Sequence, residues 1–206
     1  MQQMSTRNNI DCGLFMIPVF LVLVFVSGIS AEEEKPAGPH NATSHWGVLG
    51  GYGVTHKGFK NTRTKVETVD FVVRRGYFFT EEIGRSWYKG RHEWIFEIPV
   101  HYVTNPETAI MTGINLLGCW NLTSSKKVVP YLFAGGGLLY TNLNVPELGA
   151  EFNGNYQAGA GIHYFITGNT SIEFNYRYHH ISNAGTAKPN DPLNSSKVMV
   201  GISFFR

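Results

Sequence analysis

The chain has 206 residues, enough for one domain with a filled core, and 17 basic against 15 acidic side chains leave a net charge of +2. Charged residues make up only 16%, which argues against a disordered, charge-rich chain, and so small a basic excess argues against a nucleic-acid binder. Abundant glycine (23), phenylalanine (14) and tyrosine (10) point instead to tightly turned, aromatic-rich β structure.

In chain order, the first element is an uncharged run over residues 14–26, preceded by Arg7 and followed by the small residues Ser27, Gly28, Ser30 and Ala31. As a helix it would reach about 20 Å, short of the ~30 Å hydrocarbon core of a bilayer. It reads as a signal peptide over residues 1–31, cleaved near Ser30 or Ala31. Of the two cysteines, Cys12 lies in this segment and Cys119 beyond it, so cleavage leaves neither an intrachain disulfide nor a cysteine-based zinc site. Residues 32–44, polar and with Pro36 and Pro39, read as a flexible periplasmic leader.

From residue 45 to 206 the chain alternates with period two, and the apolar residues fall on even numbers. Trp46, Val48, Tyr52 and Val54 open the series, followed by Trp94 to Tyr102, Ile110 to Leu122, Leu132 to Tyr140, Tyr156 to Ile166, Phe174 to Tyr178 and Val198 to Phe204. An eighth segment, 65–77, has an ambiguous facing because Asp70 and Arg74 interrupt its even positions. Odd positions hold Glu93, Glu97, His101, Gln157, His163, Glu173, Arg177 and His179. With an export signal and no second helix-length apolar run, the pattern predicts an all-β protein: an eight-stranded antiparallel up-and-down transmembrane β-barrel of the outer membrane, apolar side to lipid. The long connections 55–64, 142–153 and 183–194 are expected on the extracellular side and short turns at 124–127 and 167–169 on the other. An interior filled by side chains argues against a conducting pore, and its carboxylates require partners, for which Arg177 and the histidines are the candidates.

On the apolar face of the seventh segment stand two polar residues, His180 and Ser182. Residues i and i+2 of a strand point the same way about 6.6 Å apart, close enough for a nucleophile and its general base after a modest bend. Polar groups facing lipid are costly and mark function. His179, on the opposite face, reads as an interior packing or ion-pair residue.

The sequence His180-Ile181-Ser182-Asn183-Ala184-Gly185, with Pro189-Asn190 after it, resembles the signature of the lipid A 3-O-deacylase (PagL-type) family. Softer likeness runs through 102–106, 134–140 and 157–161. The resemblance implies Ser182 as nucleophile and His180 as general base, with Asn183 and Asn190 contributing to the oxyanion site or its geometry. It implies removal of the 3-O-linked acyl chain of lipid A in the outer leaflet, with no metal or other cofactor. The family's acid lies twelve residues after the serine, where this chain has Asn194; Asp191 is the nearby carboxylate. The His-orienting residue therefore stays open between Asn194 and Asp191, as does association into a homodimer. Two further readings remain: a non-catalytic small barrel with a structural or adhesive role, and a secreted soluble barrel whose even face turns inward around an apolar ligand.

Overall fold

The computed structural model describes residues 38–206, and these form a closed antiparallel barrel of eight strands. The strands are β1 Ser44–Thr55, β2 Glu67–Phe78, β3 Gly90–Asn105, β4 Ala109–Leu122, β5 Val128–Thr141, β6 Phe152–Phe165, β7 Thr170–Ser182 and β8 Leu193–Phe205. Each pairs with its sequence neighbours, and β1 closes on β8 from His45↔Phe205 to Thr55↔Ser195. Closure abolishes the sheet edge, so the strand backbones satisfy one another as a hydrocarbon environment demands.

The expected signal peptide, 1–31, and residues 32–37 of the expected leader lie outside the described residues. Residues 38–44 hydrogen-bond to the barrel. Arg91 donates to the carbonyls of Pro39 (3.1 Å), His40 (3.2 Å) and Ala42 (2.8 Å), and Ala42 is fully buried. His40 Nδ1 lies 2.7 Å from Glu82 Oε1. Burial raises the Glu82 carboxyl, but hydrogen bonds from Lys89, Thr123 and His40 outweigh it and lower the pKa to about 2. A depressed carboxyl stabilises the fold above its ordinary pKa, so this clasp holds at neutral pH and is lost only as pH falls through that low value.

Facing follows the sequence pattern. Even-numbered Trp46, Phe96, Ile98, Leu132 and Phe174 are more than half exposed, whereas Glu93, Glu97, Glu173 and Arg177 on odd positions are at most 2% exposed. Charges enclosed and aromatics turned out are the reverse of a water-soluble barrel, so the soluble reading with the even face inward does not hold. The ambiguous segment is resolved by register. Trp46↔Arg75 and Val48↔Val73 on one side, and Val69↔Tyr102 on the other, put odd residues of β2 opposite even residues of its neighbours. Thus β2 turns Thr68, Asp70, Val72 and Arg74 inward, where the ionisable pair is needed. Arg75 faces out and lies over Trp46, its guanidinium carbon 4.8 Å from the ring centroid, while donating to Ser44 Oγ at 2.8 Å.

Every interior carboxylate on these strands has a partner. Glu97 accepts from Arg177 Nη1 at 2.9 Å and Nη2 at 3.2 Å, and Glu93 lies 2.9 Å from His45 Nε2 and accepts from Asn121 at 2.8 Å. Asp70 accepts from Lys197 at 2.9 and 3.0 Å and meets His101 Nδ1 at 2.7 Å. Glu173 pairs with Arg74 and accepts from Tyr131 and Ser203. The Glu173 partner is Arg74 rather than Arg177, because the β2 inversion aims Arg74 across the lumen. A buried charge left without its partner is strongly destabilising, which is why these positions come in pairs.

The end of the lumen opposite the chain termini is plugged by Val66, Val103, Met111, Leu139, Leu143, Leu148, Ile181 and Leu193. Loop lengths depart from the expected alternation. At this end the β3–β4 link is only 106–108, and at the other end residues 79–89 form a long connection with a 3-10 turn at Ser86–Tyr88. The long link at the terminal end carries exposed Phe79, Ile83 and Trp87, aromatic and aliphatic side chains suited to a membrane interface. The three long connections left at the far end, 56–66, 142–151 and 183–192, bond to one another beside the end of β7 and the start of β8.

Candidate active site

His180 and Ser182 close β7 at the end away from the termini, on the outward face, each half-buried. The inward residues around them, Ile181 and Leu193, pack into the apolar plug and pair across β7 and β8. That anchorage forces the alternate residues outward. Cross-strand neighbours then set the surroundings: Tyr156 of β6 lies opposite His180, Gly154 opposite Ser182, and Asn194 of β8 opposite His180 on the other side.

The Tyr156 ring stacks on the imidazole at 4.2 Å with an interplanar angle of 19°. His180 Nδ1 lies 2.8 Å from Asn194 Oδ1. An amide oxygen only accepts, so Nδ1 carries the proton and Nε2 is left as the basic nitrogen. Tyr178, two residues back on the same face, donates its hydroxyl to that same Oδ1. No hydrogen bond joins Ser182 to His180 in this conformation; such bonds often tighten only when substrate is bound. Gly154 leaves the space beside Ser182 open, since a Cβ there would meet only the Ser182 carbonyl oxygen, at 3.7 Å.

Of the two candidates for orienting His180, it is Asn194 that touches the ring. Asp191 is turned away, accepting from Arg63 Nη2 at 2.7 Å, and its backbone N–H donates to the Glu147 carbonyl at 3.0 Å. The carboxylate therefore stitches two loops together and does not reach the imidazole. Although Asn194 faces outward it is fully buried, because the β1–β2 loop folds over it: Thr62 Oγ1 accepts from Asn194 Nδ2 at 2.9 Å and from Asn194 N at 3.2 Å.

Asn183, next to the serine, is buried and its side chain is wholly engaged in the loop. Nδ2 donates to the Ala187 carbonyl at 3.1 Å and the Pro189 carbonyl at 3.0 Å, and Oδ1 accepts from Gly185 N at 2.9 Å. This Asx-turn arrangement supports the left-handed conformations of Ala184 (φ 54°) and Gly185 (φ 83°). Asn183 thus shapes the loop and offers no side-chain donor to an oxyanion. Asn190 is placed differently: exposed, its Oδ1 accepts from the Asn183 N–H at 2.9 Å, one residue from Ser182, and its Nδ2 makes no hydrogen bond among the described residues.

One serine on the outer wall does bond a histidine directly. Ser196 Oγ lies 2.8 Å from His56 Nε2 and 2.7 Å from the Tyr176 hydroxyl. His56 is exposed, and no side chain among the described residues hydrogen-bonds its Nδ1 in the way Asn194 does for His180. Tyr156 and Thr62 are the site residues that sequence reasoning misses. Tyr156 was legible only as one of many outward aromatics, and Thr62 lies in a distant loop with no local signal.

The family model described as lipid A 3-O-deacylase (PagL) matches residues 76–203, from the end of β2 into β8. No curated protein matches the chain. Among solved structures, the outer membrane enzyme PagL superposes with a TM-score of 0.55 at 16% identity, covering 77% of this chain and 97% of that one. Neisserial surface protein A superposes with a TM-score of 0.57 at 14% identity, covering 79% of this chain and 97% of that one. At such identities the two structures speak for the barrel fold alone.

Proposed function

The chain belongs to the lipid A 3-O-deacylase (PagL) family of outer-membrane barrels, and we propose that it hydrolyses the ester at the 3-position of a lipid A glucosamine by a Ser182–His180 mechanism. His180 Nε2 takes the Ser182 proton as Oγ attacks the ester carbonyl. The unengaged Asn190 amide donates to the oxygen on which negative charge develops. As the tetrahedral adduct collapses, the imidazolium returns its proton to the departing sugar oxygen. Water, deprotonated by His180, then frees the 3-hydroxy fatty acid from Ser182.

The observation that carries this reading is the Asn194-held imidazole on the lipid-facing wall, two residues from a hydroxyl with open space beside it. The scissile ester of a lipid lies near the headgroup boundary of the outer leaflet, so a substrate diffusing sideways meets the barrel wall at the rim and needs no enclosed pocket. Asn194 in the place of an acid holds the correct tautomer but adds no negative charge beside the imidazolium. That absent charge is what keeps a second reading in play, a non-catalytic barrel of the same family.

Expression in a Gram-negative host whose lipid A is 3-O-acylated separates the two. The expected result is lipid A lighter by one 3-hydroxyacyl chain. Unchanged lipid A mass alongside folded, heat-modifiable barrel would favour the structural role.

A further inference from the structure

The geometry points to Thr62 as the residue that decides which way round the Asn194 amide sits, and through it which nitrogen of His180 carries the proton; this inference rests on the mechanism proposed above. A threonine hydroxyl has one proton to give and lone pairs to receive. Thr62, 1% exposed, gives its proton to the Pro192 carbonyl at 2.8 Å. Towards its other neighbours it can only accept, and the donors it meets are Asn194 Nδ2 and Asn194 N. The NH2 side of the amide is therefore drawn to Thr62 and the carbonyl side to His180.

Tyr178 alone cannot enforce this choice, because its hydroxyl donates to an oxygen or accepts from an NH2 equally well. With the amide reversed, Nδ2 would face Nδ1, the imidazole proton would move to Nε2, and the base opposite Ser182 would be lost. A carboxylate has acceptors on both oxygens and no wrong way round. An asparagine at this position needs an orienting partner, and Thr62 supplies it.

Thr62 is itself held. The buried Glu147 carboxylate, from the β5–β6 loop, accepts from Arg63 N at 2.7 Å, Thr64 N at 2.6 Å and Thr64 Oγ1 at 2.9 Å. On the far side Arg63 is clamped by Asp191 at 2.7 Å. Loops from three strand pairs thus meet at a positioning residue that itself touches neither serine nor histidine.

The test uses the purified full chain in detergent with lipid A in mixed micelles. Thr62→Val, which keeps the shape and removes the hydroxyl, is expected to lower kcat at least about tenfold with KM unchanged. Nitrogen NMR of His180 is expected to move from the Nδ1-protonated to the Nε2-protonated tautomer, and Thr62→Ser to restore both readouts. In an Asn194→Asp background the same Thr62→Val change is expected to cost less than about twofold. An equal loss in both backgrounds, or an unaltered tautomer in folded Thr62→Val, overturns the proposal. If the unmodified chain hydrolyses nothing, the functional reading fails, while the tautomer comparison still decides the role of Thr62.

Discussion

Ser182→Ala is expected to abolish release of the 3-hydroxy fatty acid, and His180→Ala to lower it by about 10³-fold or more, with the barrel intact in both. Neither side chain carries the fold. Ser182 is the last residue of β7, half-buried, opposite a glycine, and its hydroxyl holds no other group among the described residues. Truncating such a rim residue changes stability by about 0.5 kcal/mol or less. His180 contributes its stack on Tyr156 and one hydrogen bond to Asn194, an aromatic contact of about 0.5–1.5 kcal/mol. Activity and folding therefore separate cleanly, with fatty-acid release in mixed micelles as one measurement and heat-modifiable gel mobility as the other. Because the two residues act as one unit, the double variant should be no worse than Ser182→Ala. Substantial turnover by Ser182→Ala would mean that another group attacks the ester.

The second large effect is expected at Asn190. Asn190→Asp keeps an oxygen to accept from the Asn183 N–H, so the loop's anchor survives, but it replaces the free NH2 with an acceptor. Removing one oxyanion donor costs about 10²–10³ in kcat, and the new charge would oppose the developing oxyanion as well. KM should move little, since the contact is made in the transition state. Asn183→Ala provides the contrast. Its side chain ties Gly185, Ala187 and Pro189 together, so its loss should disorder the 183–190 turn, raise KM and increase proteolytic nicking there. If Asn190→Asp left kcat unchanged, the oxyanion donor would have to be sought in the backbone.

The barrel was legible in the sequence because hydrocarbon outside and paired charges inside leave a strict period of two. It was illegible in β2, where Asp70 and Arg74 break the even-face pattern. The period of two persists there with its phase inverted, apolar Val69, Phe71, Val73 and Tyr77 falling on odd numbers, and register with β1 and β3 fixes Asp70 and Arg74 inward. Loop lengths were misjudged for a related reason: the long 79–89 connection lies at the terminal end with its aromatics exposed, and composition alone does not say which end of a barrel a loop occupies.

Within the site, His180, Ser182 and Tyr178 share a face by simple alternation and could be read together. Asn194 was within reach by counting along the chain, yet only the β7–β8 register, His180↔Asn194, brings it to the ring while Asp191 turns to Arg63. The contribution of Thr62 depends on a loop folding over the outside of the wall more than a hundred residues away in sequence. Asn183 illustrates the converse limit. The motif marks it for the site, and its hydrogen bonds spend the whole side chain on the turn.

In the proposed mechanism Ser182 is the activated hydroxyl on the lipid-facing rim, and covalent capture tests that role most directly. A long-chain alkyl fluorophosphonate reacts with an activated serine, forming an Oγ–P bond and releasing fluoride. Incubated with the barrel in detergent and mapped by fragment mass spectrometry, it should mark Ser182 in the unmodified chain and fail to react after His180→Ala. An adduct on Ser196, the serine bonded to His56, or no adduct on a correctly folded barrel, would contradict the account.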